Sequence, residues 1–282
     1  MELDFVKMHG IGNDFVVLDA RPGGSAAGLV LSGDQARHLA DRHFGIGCDQ
    51  ILIIAPTDTP EADITMLILN SDGSEAKACG NGSRCVADLV MAETDEDQLS
   101  ISTKGGIISA RRVGDDVSID MGMAKTDWAD IPLAEAMDTM AVELSHPDLP
   151  PAIAVNMGNP HAVHIVEDAE AIDLAVIGPV LEHHSVFPER ANIEFISRLD
   201  QDVIRMRVWE RGSGITIACG TGACAAAVAA ARAGLTGRHV EVVLDGGRLL
   251  IDWRDDGHVI MTGPSTTSYH GRIRLDDDQG LA

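Results

Sequence analysis

Apolar residues along this chain come mostly in short runs rich in Val, Ile and Leu, and few stretches carry a helical period. Eight such runs predict strands at 3–8, 14–19, 50–55, 64–70, 153–157, 162–166, 192–197 and 203–209. Helical signals are scarcer. Ser32-Gly33-Asp34-Gln35 fits a capping box that starts a surface helix at Ser32, and Gly45 is its expected stop. Two more helices, made of small residues, are predicted at 84–92 and 223–233. A last strand, at 269–275 in the tail after Pro264, is able to pair with either half of the chain. Many strands beside few helices predict an α+β fold.

The pattern also repeats. Ala78-Cys79-Gly80-Asn81-Gly82-Ser83 is echoed by Ala218-Cys219-Gly220-Thr221-Gly222-Ala223, 140 positions later. Each copy follows a predicted strand and opens a predicted small-residue helix. Gly12-Asn13 matches Gly158-Asn159, Gln50 matches Asn192, and Met121-Gly122 matches Thr262-Gly263, at offsets of 146, 142 and 141. Four anchors in one order at nearly one offset predict an internal duplication. Two similar domains are therefore expected, at 1–122 and 123–263, with the Pro- and acid-containing stretch 127–151 as the join. A return of the segment 264–282 to the N-terminal domain is one of the two pairings open to it. An interdomain cleft is the expected active site, because small-molecule sites favour domain interfaces.

Composition narrows the function. The chain has 282 residues, 45% of them hydrophobic, so two cores can be filled, although aromatics make up only 3%. A formal net charge of −23 disfavours nucleic acid and anionic membrane as partners. The most apolar helical stretch, 223–231, is far shorter than the roughly 20 residues of a membrane span. The first residues lack a basic segment followed by an apolar one, and they read as a strand rather than an export signal. The five cysteines form no CxxC pair. A cytoplasmic protein with free thiols is the expectation.

The duplicated Cys-Gly-x-Gly turn carries the chemistry. Its glycines let the backbone bend sharply and approach a ligand closely. Amide N–H groups of the following helix then face the cysteine, which is expected to favour the thiolate and to make a carboxylate site. Cys79 and Cys219 are thus read as reactive. Cys48, Cys85 and Cys224, outside the repeated turn, are read as small packing residues.

Taken together, several blocks resemble diaminopimelate epimerase. They are Met8-His9-Gly10-Ile11-Gly12-Asn13-Asp14-Phe15, Asn70-Ser71-Asp72-Gly73-Ser74-Glu75, Cys79-Gly80-Asn81-Gly82, Gly158-Asn159-Pro160-His161, and Glu210-Arg211-Gly212 through Ala218 to Ala223. The likeness spans 7–264, with small departures at Ala162 and Ile215. It implies two domains, each a twisted, mainly antiparallel sheet or barrel around a central helix. It also implies an isomerase, free of pyridoxal phosphate, that interconverts LL- and meso-2,6-diaminopimelate for lysine and peptidoglycan precursors. Cys79 and Cys219 would be the two acid–base catalysts, assisted by His161 and Glu210. Asn13, Gln50, Asn70, Gly80, Asn81, Asn159, Asn192, Glu210, Arg211, Gly220 and Thr221 would bind substrate. No metal or other cofactor is implied, and relatives are commonly homodimers.

Rival readings differ in what they need. A proline, hydroxyproline or histidine racemase would share the scaffold and the cysteine pair. A thiol redox protein wants a CxxC pair, a metal module wants clustered Cys and His ligands, and a nucleotide site wants a GxxxxGK[ST] loop. The chain shows none of those three motifs. His183, His184, His239 and His258 lie outside any motif and are read as structural or surface residues.

Overall fold

The computed structural model describes residues 1–144 and 149–275. The chain divides into two compact units, Met1–Ile119 with the described residues from Gly263 on, and Asp120–Thr262. In the first, β1 (Glu2–Gly10), β2 (Asn13–Asp19), α1 (Gly33–Ala40), β3 (Gln50–Ala55), β4 (Ile64–Asn70), β5 (Glu75–Ala76), α2 (Gly80–Thr94), β6 (Gln98–Thr103), β7 (Gly106–Val113) and β8 (Asp116–Met123) follow in order, β8 running past the boundary. The second repeats that order with β9 (Ile153–Asn156), β10 (Pro160–Ile165), α3 (Leu174–Glu182), β11 (Asn192–Asp200), β12 (Val203–Glu210), β13 (Gly214–Ile215), α4 (Gly220–Arg232), β14 (His239–Leu244), β15 (Gly247–Trp253) and β16 (His258–Gly263). A final strand, β17 (Thr266–Arg274), pairs antiparallel with β1.

Pairing repeats as well. In the first unit β2–β3 and β4–β6 are parallel, while β1–β2, β3–β4, β6–β7 and β7–β8 are antiparallel. In the second, β10–β11 and β12–β14 are parallel, while β9–β10, β11–β12, β14–β15 and β15–β16 are antiparallel. Register matches across the central ladders of the two units. Phe15 pairs with Gln50 as His161 pairs with Asn192, and Ile51 pairs with Leu69 as Ile193 pairs with Trp209. The duplication read from the Cys-Gly-x-Gly turns thus extends through a mixed, mainly antiparallel sheet in each unit.

Helices α2 and α4 pack against strands of their own units, α2 on β1, β6 and β7, and α4 on β9, β10 and β15. Residues 222–230 of α4 are all buried, and seven of those nine are Gly or Ala. A helix buried on every side needs small side chains so that strands can close around it. Satellite cores lie on the outer faces, around Leu39 of α1 in the first unit and Leu181 of α3 in the second.

Several boundaries differ from the sequence expectation for identifiable reasons. The capping box at Ser32 forms, but α1 ends at Ala40 rather than Gly45. Asp41 turns the chain there by accepting the His43 and Phe44 N–H groups at 2.7 and 2.8 Å. Gly45 serves close approach instead, since a Cβ on it would lie 1.9 Å from the His38 carbonyl oxygen. Helices α2 and α4 start at the glycine after each cysteine, earlier than expected, because the cysteine itself is the N-cap. The stretch 127–151 is more than a join: Ile131, Leu133, Val142 and Leu144 enter the core of the second unit.

Candidate active site, half by half

In the first unit Cys79 caps α2, its Sγ accepting the Gly82 N–H at 3.3 Å. The Cys79 thiol faces Asn13 Oδ1 at 4.0 Å, and Asn81 Nδ2 donates to the same oxygen at 3.3 Å. That amide is oriented from behind, because Asn13 Nδ2 donates to Asp49 Oδ2 at 2.8 Å. Asp49 receives Arg42, which also pairs with Asp14, and Asp14 takes the buried Lys7 ammonium at 2.6 Å. Burial works against the Asp14 carboxylate, but hydrogen bonds from Arg42 and Lys7 prevail and hold it down at about 2. Gln50 Nε2 donates to Asn70 Oδ1 at 2.8 Å, and Asn70 Nδ2 donates to Ser74. Gln50 Oε1 is buried with no partner among the described residues, an acceptor still to be used.

In the second unit Cys219 caps α4 in the same way, its Sγ accepting the Gly222 N–H at 3.3 Å with Thr221 Oγ1 at 3.7 Å. Glu210, at the end of β12, accepts the Thr216 hydroxyl and the Cys219 thiol. Burial, more than any partner, pushes the Glu210 carboxyl up. Asn159 donates its amide N–H toward Thr221 Oγ1 at 3.5 Å and turns its oxygen to His161 Nε2 at 2.9 Å. Asn192 is fixed at both ends, donating to the Pro160 carbonyl and accepting the Arg211 N–H at 2.9 Å. The Arg211 side chain is exposed and held by the Glu189 carbonyl at 2.9 Å.

One expectation is corrected here. The helix mouth was expected to favour the thiolate. For Cys219 the reverse holds: burial first, then the Glu210 and Glu194 carboxylates, raise the thiol, against the smaller pull of the Gly222 N–H and the Thr221 hydroxyl. Burial outweighs the helix dipole because the cap is closed to water. The packing cysteines behave as read: burial pushes Cys48 up to about 11 and Cys85 up to about 12, and Cys224 is buried.

The geometry gathers Asn13, Asn81 and Cys79 at one helix mouth, and Asn159, Thr221, Glu210 and Cys219 at the other. Gly80 and Gly220 open the two helices. Two residues escaped the sequence reading. Asp49 anchors Asn13. Glu194, fully buried, meets His161 Nδ1 at 2.6 Å. A charged residue inside the apolar run Ile193-Glu194-Phe195-Ile196 was the available signal.

The model of the family described as diaminopimelate epimerase matches residues 5–126 and 153–268. A diaminopimelate epimerase of Rhodospirillum centenum is 56% identical over 95% of this chain and 91% of its own. One from Acidiphilium cryptum is 51% identical over 95% of each. Among solved structures, a phenazine biosynthesis protein of the PhzF family from Bacillus anthracis covers 98% of this chain and 100% of its own, with TM-score 0.69 at 16% identity. A hydroxyproline epimerase from Agrobacterium vitis covers 99% of this chain and 94% of its own, with TM-score 0.68 at 15% identity. At such identities these two structures speak to the fold alone.

Proposed function

The chain belongs to the diaminopimelate epimerase family, and from that premise we propose that it interconverts LL- and meso-2,6-diaminopimelate by paired-thiol acid–base chemistry without a cofactor. The observation that carries the reading is that each unit presents a cysteine as the N-cap of a buried helix, with the third helical residue's N–H on the sulfur. A thiolate at one cysteine takes the Cα proton. The thiol at the other delivers a proton to the opposite face, so the centre inverts with no net change in protons or electrons. The intervening carbanion spreads its charge into the adjacent carboxylate. Amides near Gly80-Asn81 and Gly220-Thr221 suit that charge, because helix N-termini leave their first N–H groups unpaired.

His161 and Glu210 support this assignment. Glu210 accepts the Cys219 thiol, and its raised affinity for a proton suits it to receive the proton when Cys219 must act as base. Arg211 is the candidate fork for the distal carboxylate, with Asn13, Gln50, Asn70, Asn159 and Asn192 supplying amide donors and acceptors. The five free thiols suit a reducing cytoplasm. A homodimer belongs to the proposal and is tested by light scattering on the purified protein.

The deciding experiment is incubation with LL-diaminopimelate in deuterated water, followed by chiral separation and mass spectrometry. Interconversion with solvent deuterium at the inverted centre is expected. Inert diaminopimelate beside Cα exchange in proline, hydroxyproline or histidine would replace the substrate class.

A further inference from the structure

The repeated register permits a residue-by-residue comparison of the two helix mouths. Asn13 corresponds to Asn159, Gln50 to Asn192, Cys79 to Cys219 and Gly82 to Gly222. At three positions the second unit carries an ionisable side chain where the first does not. Where the first unit has Phe15, Leu52 and Asn70, the second has His161, Glu194 and Glu210. Phe15 and Leu52 are fully buried, and so are His161 and Glu194. The scaffold therefore accepts an apolar pair at this place, and folding alone does not call for an ionisable one.

The ionisable pair is also costly to keep. Glu194 Oε1 lies 2.6 Å from His161 Nδ1, but Oε2 is buried without a hydrogen-bond partner among the described residues. A buried carboxyl oxygen left bare opposes folding. Proton counting shows what the pair holds. The Asn159 oxygen faces His161 Nε2, so that nitrogen carries a hydrogen. Nδ1 and Glu194 Oε1, at 2.6 Å, must then have a proton between them. Whether written as imidazolium with carboxylate or as imidazole with carboxylic acid, the pair is neutral and contains one transferable proton.

We infer that Glu194 is a positioning residue of the reaction: it shares one proton with His161, turns the His161 ring to Asn159, and shapes the charge around Cys219. The two groups adjoin the same small volume. A Cβ placed on Gly222 would lie 2.9 Å from Glu194 Oε1 and 3.1 Å from Cys219 Sγ. The ionisable groups acting on this corner are His161 from β10, Glu210 from β12 and Cys219 at the mouth of α4, while β9 brings only Ile153, Ala154, Val155 and Asn156. Burial raises the Glu194 carboxyl, and Glu194 in turn raises Cys219. Among the described residues at the Cys79 mouth, the corresponding positions Phe15, Leu52 and Asn70 carry no titrating side chain. At these three positions the two cysteines thus have chemically unlike neighbours within their own units.

This inference rests on the epimerase reading above, so its test includes a readout independent of turnover. Glu194→Gln keeps the shape and still donates to His161 Nδ1, but it removes the carboxylate and the shared proton. Thiolate ultraviolet absorbance is followed against pH for wild type minus Cys219→Ser, and for Glu194→Gln minus Glu194→Gln/Cys219→Ser, which isolates Cys219. The expected result is a Cys219 midpoint lower by about 0.5 pH or more. On diaminopimelate, kcat should fall by about 100-fold with KM nearly unchanged. His161→Phe/Glu194→Leu, which copies the first unit, should melt at or above the wild-type temperature and lose epimerisation. A Glu194→Gln protein with an unmoved Cys219 midpoint, or a double variant that retains wild-type kcat, overturns the inference. If Glu194→Gln fails to fold, the double variant decides. Wild-type protein inert toward diaminopimelate would fault the functional reading and leave the absorbance shift to be judged alone.

Discussion

The N–H of Gly222 points at Cys219 Sγ across 3.3 Å, and the missing side chain of Gly222 leaves the room that Glu194 occupies. Its counterpart Gly82 gives its N–H to Cys79 at the same distance, but a Cβ there would meet no carboxyl: it would press on the methyl groups of Leu52, at 3.0 and 3.2 Å, and lie in ordinary contact with Cys79 Sγ at 3.4 Å. The same glycine therefore has unlike reasons in the two units. Gly222→Ala must push a buried carboxyl away from His161, and we expect a loss of about 1–3 kcal/mol in stability together with most activity. Gly82→Ala meets apolar atoms that can shift slightly, and the gain in helix propensity, about 1 kcal/mol, offsets much of the strain. Urea unfolding of both variants checks the difference. Equal losses would count against the special place of Glu194.

Acid stability should depend on Asp14. Its carboxyl titrates at about 2 in the folded protein against 3.8 ordinarily, since the Arg42 and Lys7 hydrogen bonds prevail over burial. A depressed carboxylate contributes stability above its unfolded pKa and loses it as pH falls through the folded one. Wild type should exceed Asp14→Asn by about 2 kcal/mol near neutral pH. That margin should halve at about pH 3 and nearly vanish at about pH 2. Denaturant titrations across that range test it, and a margin independent of pH would show that Asp14 matters through packing instead.

What the sequence disclosed and what it hid have physical causes. Strands β3 and β4 were legible to the residue, because a polar Gln50 and Asn70 bound continuous aliphatic runs. Strands β6, β7, β14 and β15 were passed over, since their alternation of apolar with Ser, Arg, Glu or Asp resembles loop composition. Helix α3 was missed because Gly178 and Pro179 lie inside it. Gly178 is needed there, as a Cβ would come within 2.4 Å of the Trp209 ring. The cysteine pair and its Asn partners were legible through repetition. Glu194 was not, because only the fold brings β10 beside β11 and so gives a lone buried carboxylate its histidine.

Specificity should rest on Arg211. The guanidinium is oriented by the Glu189 carbonyl, and its backbone N–H is tied to Asn192. A planar fork binds a carboxylate through two parallel bonds that an ammonium cannot reproduce. Arg211→Lys should lower kcat/KM for diaminopimelate by roughly 10- to 100-fold, the worth of one charge-assisted hydrogen bond. The loss should fall mainly on KM if the contact is to the distal, unreacting carboxylate. Unchanged kinetics would remove Arg211 from the site.

The two-thiol assignment makes the sharpest prediction. One cysteine serves each face, so a proton removed by one is not the proton returned by the other. In deuterated water, product formed from either stereoisomer should carry solvent deuterium at the inverted centre, while substrate recovered early should carry much less. A single-base enzyme would return the same proton to the opposite face and show internal transfer. Cys79→Ala and Cys219→Ala should each abolish epimerisation, because removal of either thiol leaves one face without an acid–base group. The unlike surroundings of the two sulfurs add an asymmetry. Cys219 is held as the thiol by burial and two carboxylates, so it starts the cycle ready to donate and must pass its proton toward Glu210 before it can act as base. Glu210→Gln should therefore slow the direction that needs Cys219 as base in single-turnover experiments more than the direction that needs it as acid. Equal single-turnover losses in both directions would separate Glu210 from the Cys219 proton, and wild-type epimerisation by either cysteine variant would end the paired-thiol mechanism.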